Sequence, residues 1–302
     1  MRKFSSVLLM SVGLVAWGQP GEHRAAAAPQ GGEQRVAPES IEAGTAHLNE
    51  WFAARWKEQL DFSPIQKTFL GQKDDYARID DFSERAERAQ LAWRRRTTAE
   101  MKKTFDYERL TPEAKISYDI WSYELERAER GVPFRRRAYV FTQMQGPQAS
   151  LPQFLIAFHK VDDASDMEAY IARIGGISRA IGQLLERARL VAGEGVRPPR
   201  FAYEGVIAQA RAVITGAPFG GEGEAPLWAD ANAKIDALRK AGKIDDVRAR
   251  LLRAAARRAL LDKFKPSYAA LIAWFEQDVK RADVEARGVG KLPQGLDFYA
   301  ER

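Results

Sequence analysis

Apolar positions recur along most of this chain at steps of three, four and seven, the spacing of one face of an α-helix. Ser40 precedes such a series at Ile41, Leu48, Trp51, Phe52, Trp56 and Leu60. A second stripe runs through Ala86, Ala89, Trp93, Met101 and Phe105, and a third through Ile116, Ile120, Trp121, Leu125 and Ala128. The cleanest period is Met167, Tyr170, Ile171, Ile174, Ile177, Ile181, Leu184, Leu185 and Ala188. Helices are also predicted over 201–214, 227–238 and 244–282, the last with the stripe Leu251, Leu252, Ala255, Leu260, Phe264, Tyr268, Leu271, Ile272 and Phe275.

Local signals punctuate these stripes. Ser63-Pro64, Asp81 or Ser83, and Thr111-Pro112 are helix starts, because their oxygens satisfy free N–H groups and proline fits the first turn. Ser165 and Glu168 have capping-box spacing. Gly71, Gly131, Gly193 and Gly195 are stops. Gly175-Gly176 inside the long helix predicts a close crossing or a kink, and Pro266 a kink near Phe264. A short apolar helix carries Phe154, Leu155 and Phe158 after a turn at Gly146-Pro147. Only Tyr139 to Thr142 reads as β-like, and the glycine-rich 216–226 reads as a flexible loop without a phosphate-loop ending. The expected fold is all-α, an irregular multi-helix bundle of about nine helices with at most one short β element, forming one helical domain over 39–302.

The amino terminus has a different character. Met1-Arg2-Lys3, an apolar run to Trp17 and small residues at Ala16-Trp17-Gly18 or Ala25 to Ala28 have the three-part form of a secretory signal peptide, assigned to 1–28. Residues 29–38 read as a disordered linker. The expected location is periplasmic or secreted, with no membrane span, since the apolar run is shorter than the roughly 20 residues a span needs. No cysteine is present, which removes a lipid-anchored form, a disulfide framework, thiolate ligands and a cysteine nucleophile.

The net charge of +6 raises the question of nucleic acid. The basic residues are dispersed over helices, and the two tight runs, Arg94-Arg95-Arg96 and Arg135-Arg136-Arg137, adjoin no nucleic-acid motif. They read as helix faces with acidic partners on the same chain, and no nucleic-acid partner is expected. Candidate chemistry is sparse. Four aspartates between Asp74 and Asp81 lack the converging spacing of a cation loop and read as helix caps and partners for Arg78 and Arg85. There are three histidines. His23 lies in the processed region, and His47 and His159 each lack a second histidine one turn away, so both read as structural or surface residues. No nucleophile elbow or dinucleotide fingerprint occurs. No catalytic, cofactor-binding or metal residue is therefore named.

Three segments share an order and spacing: Gln143-Met144-Gln145-Gly146, Leu151-Pro152-Gln153-Phe154-Leu155, and Glu168-Ala169-Tyr170 followed by Arg173-Ile174. Together they resemble the bacterial domain-of-unknown-function 885 family, whose intact members resemble zinc metallopeptidases. Asp80-Asp81-Phe82-Ser83 and Leu292-Pro293 with Gly295 add to the likeness. The resemblance implies the amino-terminal half only, ending before the segment that carries the zinc ligands. It implies a secreted helical scaffold of a hydrolase family, a fragment inactive alone, with zinc belonging to intact members. The missing carboxy-terminal half or a peptide-like substrate would be its partner. The other reading is a stand-alone helical binding protein of the cell envelope.

Overall fold

A computed structural model describes residues 40–302. The signal and linker segments expected over 1–38 lie outside the described residues. The α-helices are α1 (Ile41–Leu60), α2 (Pro64–Phe69), α3 (Glu84–Thr104), α4 (Pro112–Gly131), α5 (Pro147–Phe158), α6 (Ala164–Gly193), α7 (Arg200–Ala212), α8 (Pro226–Lys240), α9 (Asp246–Ala259), α10 (Lys265–Asp278) and α11 (Gly295–Glu301). No strand occurs among the described residues, so the all-α expectation holds. The β-like run at Tyr139 to Thr142 forms no strand or bridge. It serves instead to insert Phe141 into the core, edge-on to Phe275 at 5.5 Å.

Several starts form as the sequence dictates. Ser40, Ser63, Ser83 and Thr111 each accept a backbone N–H from the first turn of the following helix. The capping box does not form. Helix α6 begins at Ala164, and Asp163 Oδ1 accepts the N–H groups of Ser165 and Asp166. A carboxylate at the positive end of the helix outcompetes the serine hydroxyl, whose own O–H turns to Asp163. Glu168 is left free to pair with Arg248.

The expected helix over 244–282 is interrupted by a π-helical turn at Leu260–Phe264, between α9 and α10. Pro266 cannot donate to the carbonyl four residues back, and a widened turn relieves that carbonyl of the clash with the ring. The glycine-rich 216–226 is tied rather than loose: Gly216 N–H reaches Gly220 O at 2.9 Å, Ala217 N–H reaches Gly223 O at 2.8 Å, and Ala225 N–H reaches Ala217 O at 2.9 Å. Gly146 has an ordinary negative φ, so no turn demands glycine there. The demand is space, since a Cβ would meet the Gln148 side chain and Thr142 O.

Two cores hold the helices. A small one joins α1, α3 and α4 through Leu48, Trp51, Met101, Phe105, Leu110, Ala114 and Tyr118. The large one is built around α6, whose expected stripe is buried almost throughout, with α5, α7, α8, α9 and α10 packed about it. The Gly175-Gly176 pair permits the close approach the sequence implied. A Cβ on Gly176 would lie 2.9 Å from Ile79 Cγ1, and one on Gly175 3.2 Å from Lys263 Cδ. Other expected core positions face outward. Ile116 is 60% and Ile120 44% exposed, and Leu251 is 56% exposed. Trp56 and Ala128 are also exposed. On α4 the inner face is set by Ala114, Tyr118 and Trp121, because the aromatic cluster of Trp51, Phe52 and Trp93 lies on that side.

The segment between α1 and α3 is locked onto α6 by one buried side chain. Arg173 is fully buried. Its guanidinium donates to Arg78 O at 2.9 Å, His159 Nδ1 at 3.0 Å, Thr68 Oγ1 at 2.7 Å and Pro64 O at 3.3 Å. It also lies 4.8 Å from the Tyr76 ring centroid. No carboxylate pairs with it among the described residues. Burial pulls its pKa down to about 10, so it remains charged at neutral pH. His159 stacks on Tyr76 at 4.0 Å and uses its second nitrogen, Nε2, at 2.9 Å from Asp166 O. That carbonyl can only accept, so Nε2 carries the proton and Nδ1 is the acceptor for Arg173. Lys73 bridges Asp162 and Asp166 at 2.9 and 2.6 Å, closing the same contact from outside.

Two outcomes follow from this cluster. Arg173→Met is expected to destabilise the protein by roughly 3–5 kcal/mol, since it strands several buried acceptors. Arg173→Lys should recover little of that, because an ammonium cannot reproduce the planar fork. Urea denaturation of the variants checks both. His159 titrates near 4 in the folded chain, lowered by burial first and by the Arg173 charge as well, against 6.5 when free. The unfolded chain thus binds more protons between these values. Stability is complete above the free value and is lost as pH falls from 6.5 towards 4, a loss of roughly 3 kcal/mol. His159→Gln should flatten this part of the stability–pH curve, as measured by urea midpoints across that window.

Candidate functional site: an arginine-lined cleft

Between the small core and α6 lies a cleft of about 630 Å³. Helix α3 supplies Glu87, Arg88, Leu91, Trp93 and Arg94, and α4 supplies Glu124 and Arg127. The turn after α4 adds Phe134 and Arg135, α6 adds Arg187, and Phe298 of α11 closes the rim. Its wall carries six arginines and three glutamates. The cleft exists because the two cores meet across a polar seam rather than an apolar one. Arg136 clamps Glu84 at 2.7 and 2.9 Å and reaches Glu194 at 2.7 Å. Gln183 of α6 donates to Asp81 at 2.8 Å and accepts the Phe82 N–H at 3.0 Å.

The two basic runs divide here. Arg135, Arg136 and Arg137 all meet acidic partners of the same chain, Glu87, Glu84 and Glu194, as expected. Arg95 likewise pairs with Glu129 at 2.7 Å. Arg94 departs from that pattern. Its guanidinium makes no hydrogen bond or ion pair among the described residues and lies 5.9 Å from Trp93 and 5.4 Å from Trp121. Trp93 is fixed beneath it by a 2.8 Å bond from its Nε1–H to Glu58 and by edge contact with Phe62 at 5.8 Å. Burial pulls the Arg94 guanidinium below its usual range; nearby Glu124 opposes this and nearby Arg127 adds to it. Sequence reading placed Trp93 in a core stripe and Arg94 on a solvated face. Their adjacency was visible, but which neighbour would cover the arginine depended on α4 turning Trp121 inward.

The aspartates between Asp74 and Asp81 serve the chain itself. Asp75 binds Lys67 at 2.8 Å and Arg78 at 3.0 Å. Asp80 accepts from Ser63 Oγ at 2.7 Å and Ile65 N at 2.9 Å. Asp81 accepts the Ser83 N–H at 3.0 Å and pairs with Arg85. The zinc implied by the family resemblance does not fit the donors present. Both ring nitrogens of His159 are engaged, and His47 is exposed with its ring edge-on to Phe105 at 5.0 Å. No group of three or more His, Cys, Asp or Glu side chains among the described residues could hold a metal ion. No helix among them is long and apolar enough to cross a membrane.

Comparison with known proteins places the fold. No curated protein is significantly similar in sequence. The crystal structure of the "putative lipoprotein" from Colwellia psychrerythraea superposes with a TM-score of 0.68 at 13% identity, covering 87% of this chain and 46% of that one. The chain thus spans about half the length of that protein, and the likeness establishes a shared helical fold. The Tyr170 and Arg173 motif positions, the Gln143 segment and the Leu151 helix all fall within the stretch that a family model matches, residues 64–302. The chain belongs to DUF885, the family described as bacterial protein of unknown function.

Proposed function

We propose that the described region is a helical scaffold in a hydrolase-type, peptidase-like protein acting outside the cytoplasm, with the bond-breaking groups supplied by another segment or chain. The observation that carries this reading is how the chemistry-capable side chains are used. Arg173, a member of the resembling motif, is consumed with His159 in a buried clamp, and Tyr170, another member, donates to Asp230 at 2.8 Å. The motif residues therefore hold helices together instead of facing a cleft. The twofold greater length of the Colwellia protein is consistent with a scaffold that works beside further sequence. That protein's description as a lipoprotein supports an envelope location. A stand-alone envelope binding protein is the second reading, favoured by the unpaired Arg94 in the cleft.

Incubation of the purified chain with added zinc and a mixture of unstructured peptides is expected to give no turnover by mass spectrometry. Turnover that disappears in His47→Ala or His159→Gln would overturn the scaffold reading. The exposed α4 stripe of Ile116, Ile120 and Tyr123 separates the two readings. Concentration-dependent self-association and binding of a hydrophobic dye are expected for a scaffold that works against another surface. A dye-silent monomer favours the stand-alone binder.

A further inference from the structure

We propose that the cleft between α3 and α4 binds a carboxylate-bearing organic anion, and that the guanidinium of Arg94 is its principal contact. This goes beyond the scaffold reading and stands or falls by binding rather than by turnover. Guanidinium groups withdrawn from water normally find a carboxylate or several hydrogen-bond acceptors. Arg173 does so in the interior of this same molecule, and Arg135, Arg136, Arg137 and Arg187 do so along the seam. Arg94 is half-buried and has none. Its guanidinium carbon lies 5.9 Å from the Trp93 ring and 5.4 Å from the Trp121 ring, contacts that leave its N–H donors unspent.

Its surroundings make the need for an anion specific. Arg127 lines the same cleft, and Glu124, the carboxylate between them, is bonded to Arg127 at 3.3 Å. Glu124 is thus spent on Arg127, and Arg94 is left without a carboxylate in contact. Planar carboxylates match the fork of an arginine in a two-bond arrangement. A doubly charged anion suits the site less well, because Glu87 and Glu124 both face the cleft. The volume is that of a small-molecule or short-peptide pocket. Phe62, Leu91 and Phe134 supply apolar wall for the organic part of the ligand.

The carboxylate could belong to a free small acid or to an acidic peptide, and the test separates them. The full chain is titrated with butyrate, with an acetylated peptide amide carrying a single glutamate and with inorganic phosphate, following tryptophan fluorescence and calorimetry. Saturable binding of butyrate or of the peptide is expected, with the tighter of the two naming the source. Arg94→Met should weaken it roughly 10- to 100-fold. The same substitution should leave the melting temperature unchanged or higher, since it removes an unpaired, partly buried charge. Arg94→Lys, which keeps charge but not the fork, should recover only part of the affinity. Should Arg94→Met fail to fold, Arg127→Gln is expected to weaken binding several-fold. The proposal is overturned by unchanged binding in the variant that folds. It is equally overturned by phosphate binding as tightly as the carboxylates, or by no saturable carboxylate binding at millimolar concentrations.

Discussion

A single positive charge placed where water cannot reach it sets the terms for this fold. Arg173 sits on the central helix α6 with no carboxylate to neutralise it, so the chain must bring neutral acceptors to it from three separate places. Those acceptors are the carbonyls of Pro64 and Arg78, the hydroxyl of Thr68 and a histidine kept neutral by burial. The segment between α1 and α3 is tied further by Lys67 to Asp61 and Asp75 and by Arg179 to Ile79 O. Tyr76 completes the arrangement, stacking on the histidine and lying over the guanidinium.

From that clamp the placement of the small core follows. Fixing residues 64 to 80 against α6 fixes where α3 starts, and α3 carries α1 and α4 with it through the aromatic cluster. The two cores then face each other across charges, not hydrocarbon. A seam of arginine–glutamate pairs has polar groups on both sides and does not exclude water as tightly packed apolar surfaces do. The cleft is the space this leaves. Its aromatic floor comes from the edge of the small core, and its charges come from the seam. An analogous tie closes the other end of the large core, where Asp278 accepts from Arg197 at 2.9 and 3.0 Å and from Tyr203 at 2.6 Å.

Helix existence and most helix starts were readable in the chain because they depend on neighbours three or four residues away. The stripe of α6 was read nearly complete, since a helix surrounded on most sides must be apolar on most sides. Faces were harder where a helix is only partly covered. On α4, Ile116 and Ile120 look more hydrophobic than Ala114 and Tyr118, yet the latter point inward. The packing of four aromatic rings outweighs the transfer energy of two isoleucines left at the surface. The nine expected helices became more segments for a local reason as well: the ring of Pro266 divides one long helix through a π turn.

By itself the sequence determined a helical protein without thiols, with isolated histidines and with a motif pattern shared with its family. It could not determine what those motif residues do, because a tyrosine and an arginine at a helical spacing of three are equally suited to a site or to a core. Only the tertiary structure decided that Arg173 is a buried clamp while Arg94 is left unsatisfied at a cleft. Both are arginines on charged or amphipathic helices. What distinguishes them is the set of acceptors that distant segments bring within hydrogen-bond reach, and that set is a property of three-dimensional packing.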